Sequence, residues 1–379
     1  MMDELRVLLS REALINNISE FVRISNGHHR VMAVVKANAY GHGLVEILSI
    51  IRDTKIRKFG VFTLEEALKV KELIPDSMIL IFQSLYNKEL YEAIERGFDI
   101  TIGSVDNLQN LKDIIKNTRS PPFIHLKVET GTNRQGITEP ELNTVIQTLS
   151  EIRKIKLRGI YTHFANIEDT TDHSYAMFQL NRYRRFVSEF DKNGIKFEFR
   201  HTACSAAAIL FPETHFDFVR IGISLYGHWP SKETLISANH LNIEKPNLLP
   251  VMSLRTKIIQ IKNVRSSEYI GYGCTYKATR DMKIGILPIG YANGYRRVFS
   301  NSTYVIVKGR RAPVVGRVCM NIIMIDITDI PGVRVLDEVT LLGKDNGEMI
   351  SAEDLAQIAG TINYEILTQI DPFATRIIS

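Results

Sequence analysis

Apolar positions in the first 225 or so residues come in short β-branched runs: VMAVV (31–35), KFGVF (58–62), MILIF (78–82), FDITI (98–102), FIHLKV (123–128), RGIYTHF (158–164), KFEFR (196–200) and FDFVRIG (216–222). Between them lie stretches such as TLEEALKVKELI and NKELYEAIERG, where apolar residues recur at the spacing of an amphipathic helix. Strand–helix alternation predicts a parallel sheet, and eight such units predict a closed (β/α)8 barrel. The main rival, an open doubly wound sheet, would carry a GxGxxG after an early strand, and none is present.

Past Pro246 and Pro250 the period shortens to two. VMSLRTKIIQIKNV is followed by IGILPIG, TYVIVKG, APVVGRV, NIIMIDIT and VRVLDEVTLLG, punctuated by Gly, Asn and Asp. One helix-like stretch, SAEDLAQIAG (351–360), interrupts them. The expected class is α/β plus β: an N-terminal TIM-type (β/α)8 barrel over residues 1–235, then a mostly β domain over 236–379. The boundary falls in a polar, irregular segment near 228–245.

Composition narrows the function classes. Net charge is +5, from 47 Lys+Arg against 42 Asp+Glu, and the charges are interspersed without a basic tail. That argues against a nucleic-acid partner and leaves a small anionic ligand open. No apolar run is long enough to span a membrane, and MMDELRVLLSREAL lacks the core of a signal peptide. Cys204, Cys274 and Cys319 have no CxxC spacing, so they read as free thiols of a cytoplasmic protein, with neither disulfide nor metal site expected.

Barrels of this type carry their reactive groups at the C-terminal ends of the strands. Those ends hold Lys36, Lys127 with Arg134 beyond it, His163, Ser205, and Arg220 with Gly222 and Ile223. Lys36 ends an apolar run. Either it reaches out to water, or it is a desolvated amine of lowered pKa that could form a Schiff base with an aldehyde such as pyridoxal 5'-phosphate (PLP). The Ser205 hydroxyl and the backbone N–H groups of Gly222 and Ile223 could then cradle its phosphate. Arg220 in FVRIG cannot shed its proton and so requires a partner. Against a pyridine nitrogen it would keep that nitrogen unprotonated. His163 reads as a satisfied core residue or a base. Lys127 reads as half of an ion pair with Glu129 or a neighbouring strand. Cys319 and Met320 read as core of the β domain.

The segments AVVKANAYGHG, HLKVETGTNRQG, GIYTHFAN, HTACSAA, VRIGISLYG, GYGCTY, LPIGYANG, VGRVCMN and TINYE occur in this order between about residues 5 and 367. Together they resemble the alanine racemases, fold-type III PLP enzymes. The resemblance implies that Lys36 carries the cofactor and serves as one base, and that Tyr272 is the other base, on the opposite face. It implies that Arg220 bonds the pyridine nitrogen, and that Tyr40, Ser205, Gly222, Ile223 and Tyr364 hold the phosphate. Arg134 and the backbone of Met320 would hold the substrate carboxylate, and His163 would sit behind Tyr272. Lys127 matches a lysine that is often carbamylated in the family. Tyr272 and Met320 would come from the partner of a head-to-tail homodimer, with alanine as substrate and D-alanine for peptidoglycan as product.

Racemisation needs a proton removed from one face of Cα and another delivered to the opposite face, and two bases on opposite sides do this without turning the substrate. Phenols titrate near pKa ~10, so a phenolic base needs a cationic neighbourhood, which a His163–Arg220 chain could supply. Several positions depart from the family pattern: Glu129, the run Thr132 to Gln135, Cys204, Asn293, Asn321 and the short C-terminal tail. Alternatives are a broader racemase that also takes serine, a basic amino-acid decarboxylase of the same fold type, and a PLP-binding protein without turnover. Tyr272, Cys319-Met320 and Tyr364 argue against the last.

Overall fold

The computed structural model describes residues 5–152 and 154–379. The chain divides into two compact units. One comprises Ile15–Ala37 and Leu48–Leu249; the other comprises the residues up to Leu14, Asn38–Ile47 and everything from Pro250 onward. The split expected at 235/236 thus has its counterpart at 249/250, and two short stretches from the first half of the chain go with the later unit.

After β1 (Arg6–Leu9), which belongs to that later unit, come eight strands: β2 (Val31–Val34), β3 (Lys58–Val61), β4 (Met78–Ile81), β5 (Asp99–Ile102), β6 (Phe123–Lys127), β7 (Lys156–Tyr161), β8 (Phe199–His201) and β9 (Val219–Ile221). Each lies in one of the eight apolar runs or overlaps it. All pair in parallel, in the order β8-β7-β6-β5-β4-β3-β2-β9. No ladder joins β8 to β9. Two backbone bonds span that gap: Asp217 N–H to Arg200 O and Arg220 N–H to Ala203 O, each 3.0 Å. The barrel is therefore nearly closed.

The helices between strands start where the sequence offers caps. Thr63 and Glu66 form a capping box at Leu64–Leu73, and Ser104 accepts from Asn107 N–H at Val105–Ile114. Leu64, Ala67, Val70, Leu108 and Leu111 on these helices are buried, each larger side chain contributing about 1.5–3 kcal/mol by leaving water.

The barrel filling has two textures. Met32, Leu80 and Phe218, with Met78, Phe82 and Phe199 against them, form an apolar cluster. Asp99, Thr101, His125, Lys127, Tyr161, His201 and Arg220 form a buried polar group. Gly159 on β7 makes room for that group: a Cβ there would lie 2.1 Å from His125 Nδ1.

In the later unit, β10 (Met252–Lys257), β11 (Gln260–Val264), β12 (Tyr269–Ile270), β13 (Tyr276–Lys277), β14 (Met282–Leu287), β15 (Tyr304–Val307), β16 (Arg310–Pro313), β17 (Ile323–Asp326), β18 (Glu338–Asp345), β19 (Glu348–Ile350) and β20 (Thr375–Ile378) bear out a mostly β fold. The largest sheet runs β16-β15-β18-β10-β1-β20, with β19 on β18. β1 lies antiparallel to β10 and parallel to β20. The expected helix is Ala352–Ala359, and a second, unanticipated one is Asn363–Thr368.

The helical turn Lys36–Tyr40 is left-handed: Ala37, Asn38, Ala39 and Tyr40 all have φ of +53°. For L-residues this costs roughly 1–2 kcal/mol each, so the turn must be held from outside. Asn38 Oδ1 accepts from Leu44 N–H at 2.8 Å, the His42 ring donates to the Ala39 and Tyr40 carbonyls at 3.1 and 3.0 Å, and Arg376 donates to Gly41 O at 2.9 Å. Gly41 has φ +81°, and a Cβ there would lie 2.1 Å from Leu367 O. Gly41→Ala is expected to cost about 2–4 kcal/mol, read as a lowered denaturant midpoint of the cofactor-free protein. An unchanged midpoint would show that the turn relaxes freely.

Candidate active site

The mouth of the barrel gathers cations. Lys36 stands two residues past the end of β2, and Arg220 lies on the adjacent strand β9, where Met32 pairs with Arg220. Among the described residues the Lys36 amine makes no hydrogen bond and no ion pair. Burial, and then the charge of Arg134, lower its pKa, against the pull of Glu66 and Glu168. The amine therefore meets the condition the sequence left open, an ammonium short of water and of partners.

Arg220 is 5 % exposed, and no carboxylate lies within ion-pair range of it among the described residues. Its Nη1 donates to His201 Nδ1 at 2.7 Å and to His201 O at 2.9 Å. Its Nη2 donates to Thr162 O at 2.8 Å and Thr202 O at 2.9 Å. Charge-assisted bonds of this kind offset the desolvation of a buried cation. None of the four uses Nε–H. The His163–Arg220 chain anticipated from the sequence is not among these bonds: the imidazole that meets Arg220 is His201. Burial, Arg220, Arg134, Lys127 and Lys36 hold His163 well below its ordinary pKa, so it is neutral.

Lys127, at the end of β6, donates to Gln135 Oε1 at 3.2 Å rather than pairing with Glu129. The Gln135 amide is oriented by donating to Ser84 Oγ at 2.7 Å and Phe82 O at 3.3 Å. Burial, then Arg134 and Arg220, bring Lys127 down to about 8. Glu129 instead ties the following loop, accepting from Gly131 N–H at 2.5 Å and Arg134 N–H at 3.3 Å. Burial opposes its ionisation, and the backbone N–H groups of Asn133, Gly131, Arg134 and Thr132 outweigh that, leaving its pKa below the usual value. The loop so held presents the exposed Arg134 side chain. A cavity of about 530 Å³ lies beside it, lined in part by Ser84, Tyr86, Glu129, Arg134 and Gln135.

After β8 and β9 the chain turns into short helical segments, Ser205–Leu210 and Ile223–Tyr226. Ser205, Gly222 and Ile223 meet there: Ser205 Oγ accepts from Gly222 N–H at 3.1 Å. Burial pushes the neighbouring Cys204 thiol up to about 12, so it stays protonated.

The remaining predicted residues lie in the other unit. Tyr40 and Tyr364 face each other with ring centroids 6.1 Å apart. Tyr272 is 71 % exposed and Met320 is 56 % exposed. Gly273 follows Tyr272 at φ +68°, a left-handed conformation that favours glycine. His125, His201, Asp99 and Gln135 were not singled out from the sequence. The available signal was polar residues at alternate positions inside FDITI and FIHLKV; FRHT and the loop that carries Gln135 show no such alternation.

Models of the alanine racemase N-terminal domain and C-terminal domain match residues 9–230 and 251–378. The chain is 39% identical over 367 residues to an alanine racemase of Methanococcus maripaludis, covering 96% of each chain. It is 36% identical over 374 residues to one of Leptospira interrogans, covering 98% of this chain and 94% of the relative. Among solved structures, an alanine racemase from Bacillus anthracis with bound L-Ala-P superposes at a TM-score of 0.90 and 32% identity, covering 99% of this chain and 95% of that one. One from Bartonella henselae with covalently bound pyridoxal phosphate gives 0.86 and 26%, covering 99% of each. With both domain models matched and relatives spanning nearly the whole chain, the protein belongs to the alanine racemase family.

Proposed function

We propose that the protein interconverts L-alanine and D-alanine with pyridoxal 5'-phosphate, in the cytoplasm, supplying D-alanine for peptidoglycan. The observation that carries this reading is the nearness of two cations at neighbouring strands: the Lys36 amine just past β2, of lowered pKa and without hydrogen bond or ion pair among the described residues, and the buried Arg220 guanidinium on β9, with no acid in ion-pair range among them. The residues present fit the cofactor. Lys36 offers the amine for its aldehyde. Ser205 Oγ with the N–H groups of Gly222 and Ile223 suits its phosphate. Arg220 Nε–H, unused in the four bonds above, suits its ring nitrogen, and His163 stands near these groups as a neutral imidazole.

When bound, the cofactor supplies an electron-withdrawing ring that acidifies the Cα–H of the attached amino acid. The rest falls to the chain. The Arg134 guanidinium, with the Met320 backbone, binds the substrate carboxylate and sets which face of Cα meets Lys36. Lys36 Nζ takes or returns the Cα proton on that face, and the Tyr272 hydroxyl serves the opposite one. Arg220 can only donate, so it leaves the ring nitrogen without a proton, which moderates electron withdrawal and disfavours side reactions. Lys127, with a pKa of about 8, presents near neutrality some of the free amine that carbamylation requires.

The exposure of Tyr272 and Met320 supports a head-to-tail homodimer in which both residues serve the partner's site. Tyr269, Tyr291 and Ile322 in the same unit are also exposed, and exposed apolar side chains of this kind suit a buried interface. No helix of the described residues is long and apolar enough to cross a membrane.

The test is to add PLP to the purified protein and follow chirality separately from L-alanine, L-serine and L-lysine. L-alanine is expected to reach the racemic mixture, and serine to lag behind it. Equal rates on lysine, or no racemisation of alanine, would overturn the reading.

A further inference from the structure

The buried polar half of the barrel contains a row of polar side chains that the proposed chemistry does not use. His201 Nδ1 receives the Arg220 Nη1 bond at 2.7 Å. The other His201 nitrogen, Nε2, lies 2.9 Å from His125 Nδ1. His125 Nε2 lies 3.4 Å from Asp99 Oδ1, a close charge contact that makes no hydrogen bond, and Arg158 Nη1 donates to both oxygens of Asp99 at 3.2 Å. His125 and His201 are fully buried and Asp99 is 1 % exposed.

The proton positions along this row follow from one fact: a guanidinium has no acceptor. His201 Nδ1 must therefore be bare, which puts the His201 proton on Nε2. That proton points at His125 Nδ1, which must also be bare, and so His125 carries its proton on Nε2, toward Asp99. Both imidazoles are neutral and each is restricted to one tautomer. Burial, and then the charge of Arg220, push His201 well below its ordinary pKa, in keeping with a neutral ring.

The surroundings are shaped for this arrangement. His201 is stacked between Tyr161, at 4.8 Å and 9°, and Phe218, at 4.3 Å and 23°. Gly159 leaves space for the His125 ring. A register shift between β6 and β7 places Leu157 opposite Ile124 but Gly159 opposite His125. Arg158 is the extra residue, and such bulges re-aim a side chain; here it meets Asp99.

We propose that His125, backed by Asp99, is a positioning residue for the active site: by accepting from His201 Nε2–H it fixes the tautomer that holds Arg220 in place. This rests on the reading of Arg220 as the partner of the cofactor's ring nitrogen. His125 touches neither substrate nor cofactor. It acts as an orienting group behind a functional side chain, where loss of the correct tautomer is costly.

The test has two parts. In cofactor-free protein labelled with ¹⁵N-histidine, NMR is expected to show His201 and His125 each protonated at Nε2 only. His201 protonated at Nδ1 would overturn the proposal. In PLP-loaded protein, His125→Phe removes the acceptor and is expected to lower kcat for L-alanine about tenfold, with KM changed less than about twofold. His125→Asn can present its amide oxygen near the lost Nδ1 and is expected to stay within about threefold of the parent kcat. Unchanged kcat in folded His125→Phe, or equal impairment of both variants, would overturn the relay while alanine racemisation by the parent stands. An inactive parent would overturn the racemase reading, and this role with it, whatever the spectra show.

Discussion

Lys36→Ala protein is expected to fold, to take up no covalent pyridoxal phosphate and to lose at least about 10⁴-fold in kcat/KM for L-alanine. The fold should survive because the amine it removes makes no hydrogen bond or ion pair among the described residues and is partly desolvated. Its loss should change stability by less than about 1 kcal/mol in either direction. The activity loss is large because two tasks end together, the covalent hold on the cofactor and proton transfer on one face of Cα. Visible absorbance after desalting, a thermal melt and a chirality assay on one preparation separate these effects. A folded variant that still racemises alanine at a tenth of the parent rate would remove Lys36 from the chemistry.

Tyr272→Ala is expected to divide the two directions of proton exchange. In deuterated water, wash-in at Cα starting from L-alanine should fall about 10²–10⁴-fold, the usual worth of a positioned acid or base. Exchange starting from D-alanine, served by Lys36, should persist, while net racemisation falls equally in both directions because the enantiomers are equally stable in water. Since Tyr272 is 71 % exposed in its own chain, the site is expected to be completed by a partner. Mixing Lys36→Ala and Tyr272→Ala subunits tests this. A mixed dimer has one site with both residues intact, so random exchange should restore about a quarter of the parent activity. No recovery despite demonstrated subunit exchange would place both residues in one chain's own site. Symmetric loss of exchange from L- and D-alanine in Tyr272→Ala would remove the division of labour.

The barrel was legible because its signal is local. Runs such as MILIF and FDITI are long enough, regular enough and far enough apart to read as strands between amphipathic helices, and all eight were found. The short run RVLL, residues 6–9, carries no such evidence. Its place beside β10 and β20 depends on residues about 250 and 370 positions away, so no local pattern assigns it to the later unit. The left-handed turn after Lys36 was equally hidden. KANAY holds no glycine, and its backbone is held by Asn38, His42 and the distant Arg376.

The candidate site divides in the same way. Lys36 and Arg220 stood out because a cation in an apolar run is an anomaly visible from its neighbours alone. His125, His201 and Asp99 each look ordinary in their own strands, and only the parallel register of β5 through β8 brings them together. The tertiary structure likewise chose His201 rather than His163 as the partner of Arg220, and Gln135 rather than Glu129 as the partner of Lys127. Sequence alone determined the alternation of elements and the residue types able to do the chemistry, because hydrophobic period and charge are properties of adjacent positions. Only the tertiary structure decided which polar atoms meet, because hydrogen bonds depend on distances of a few ångströms between residues that the chain keeps far apart.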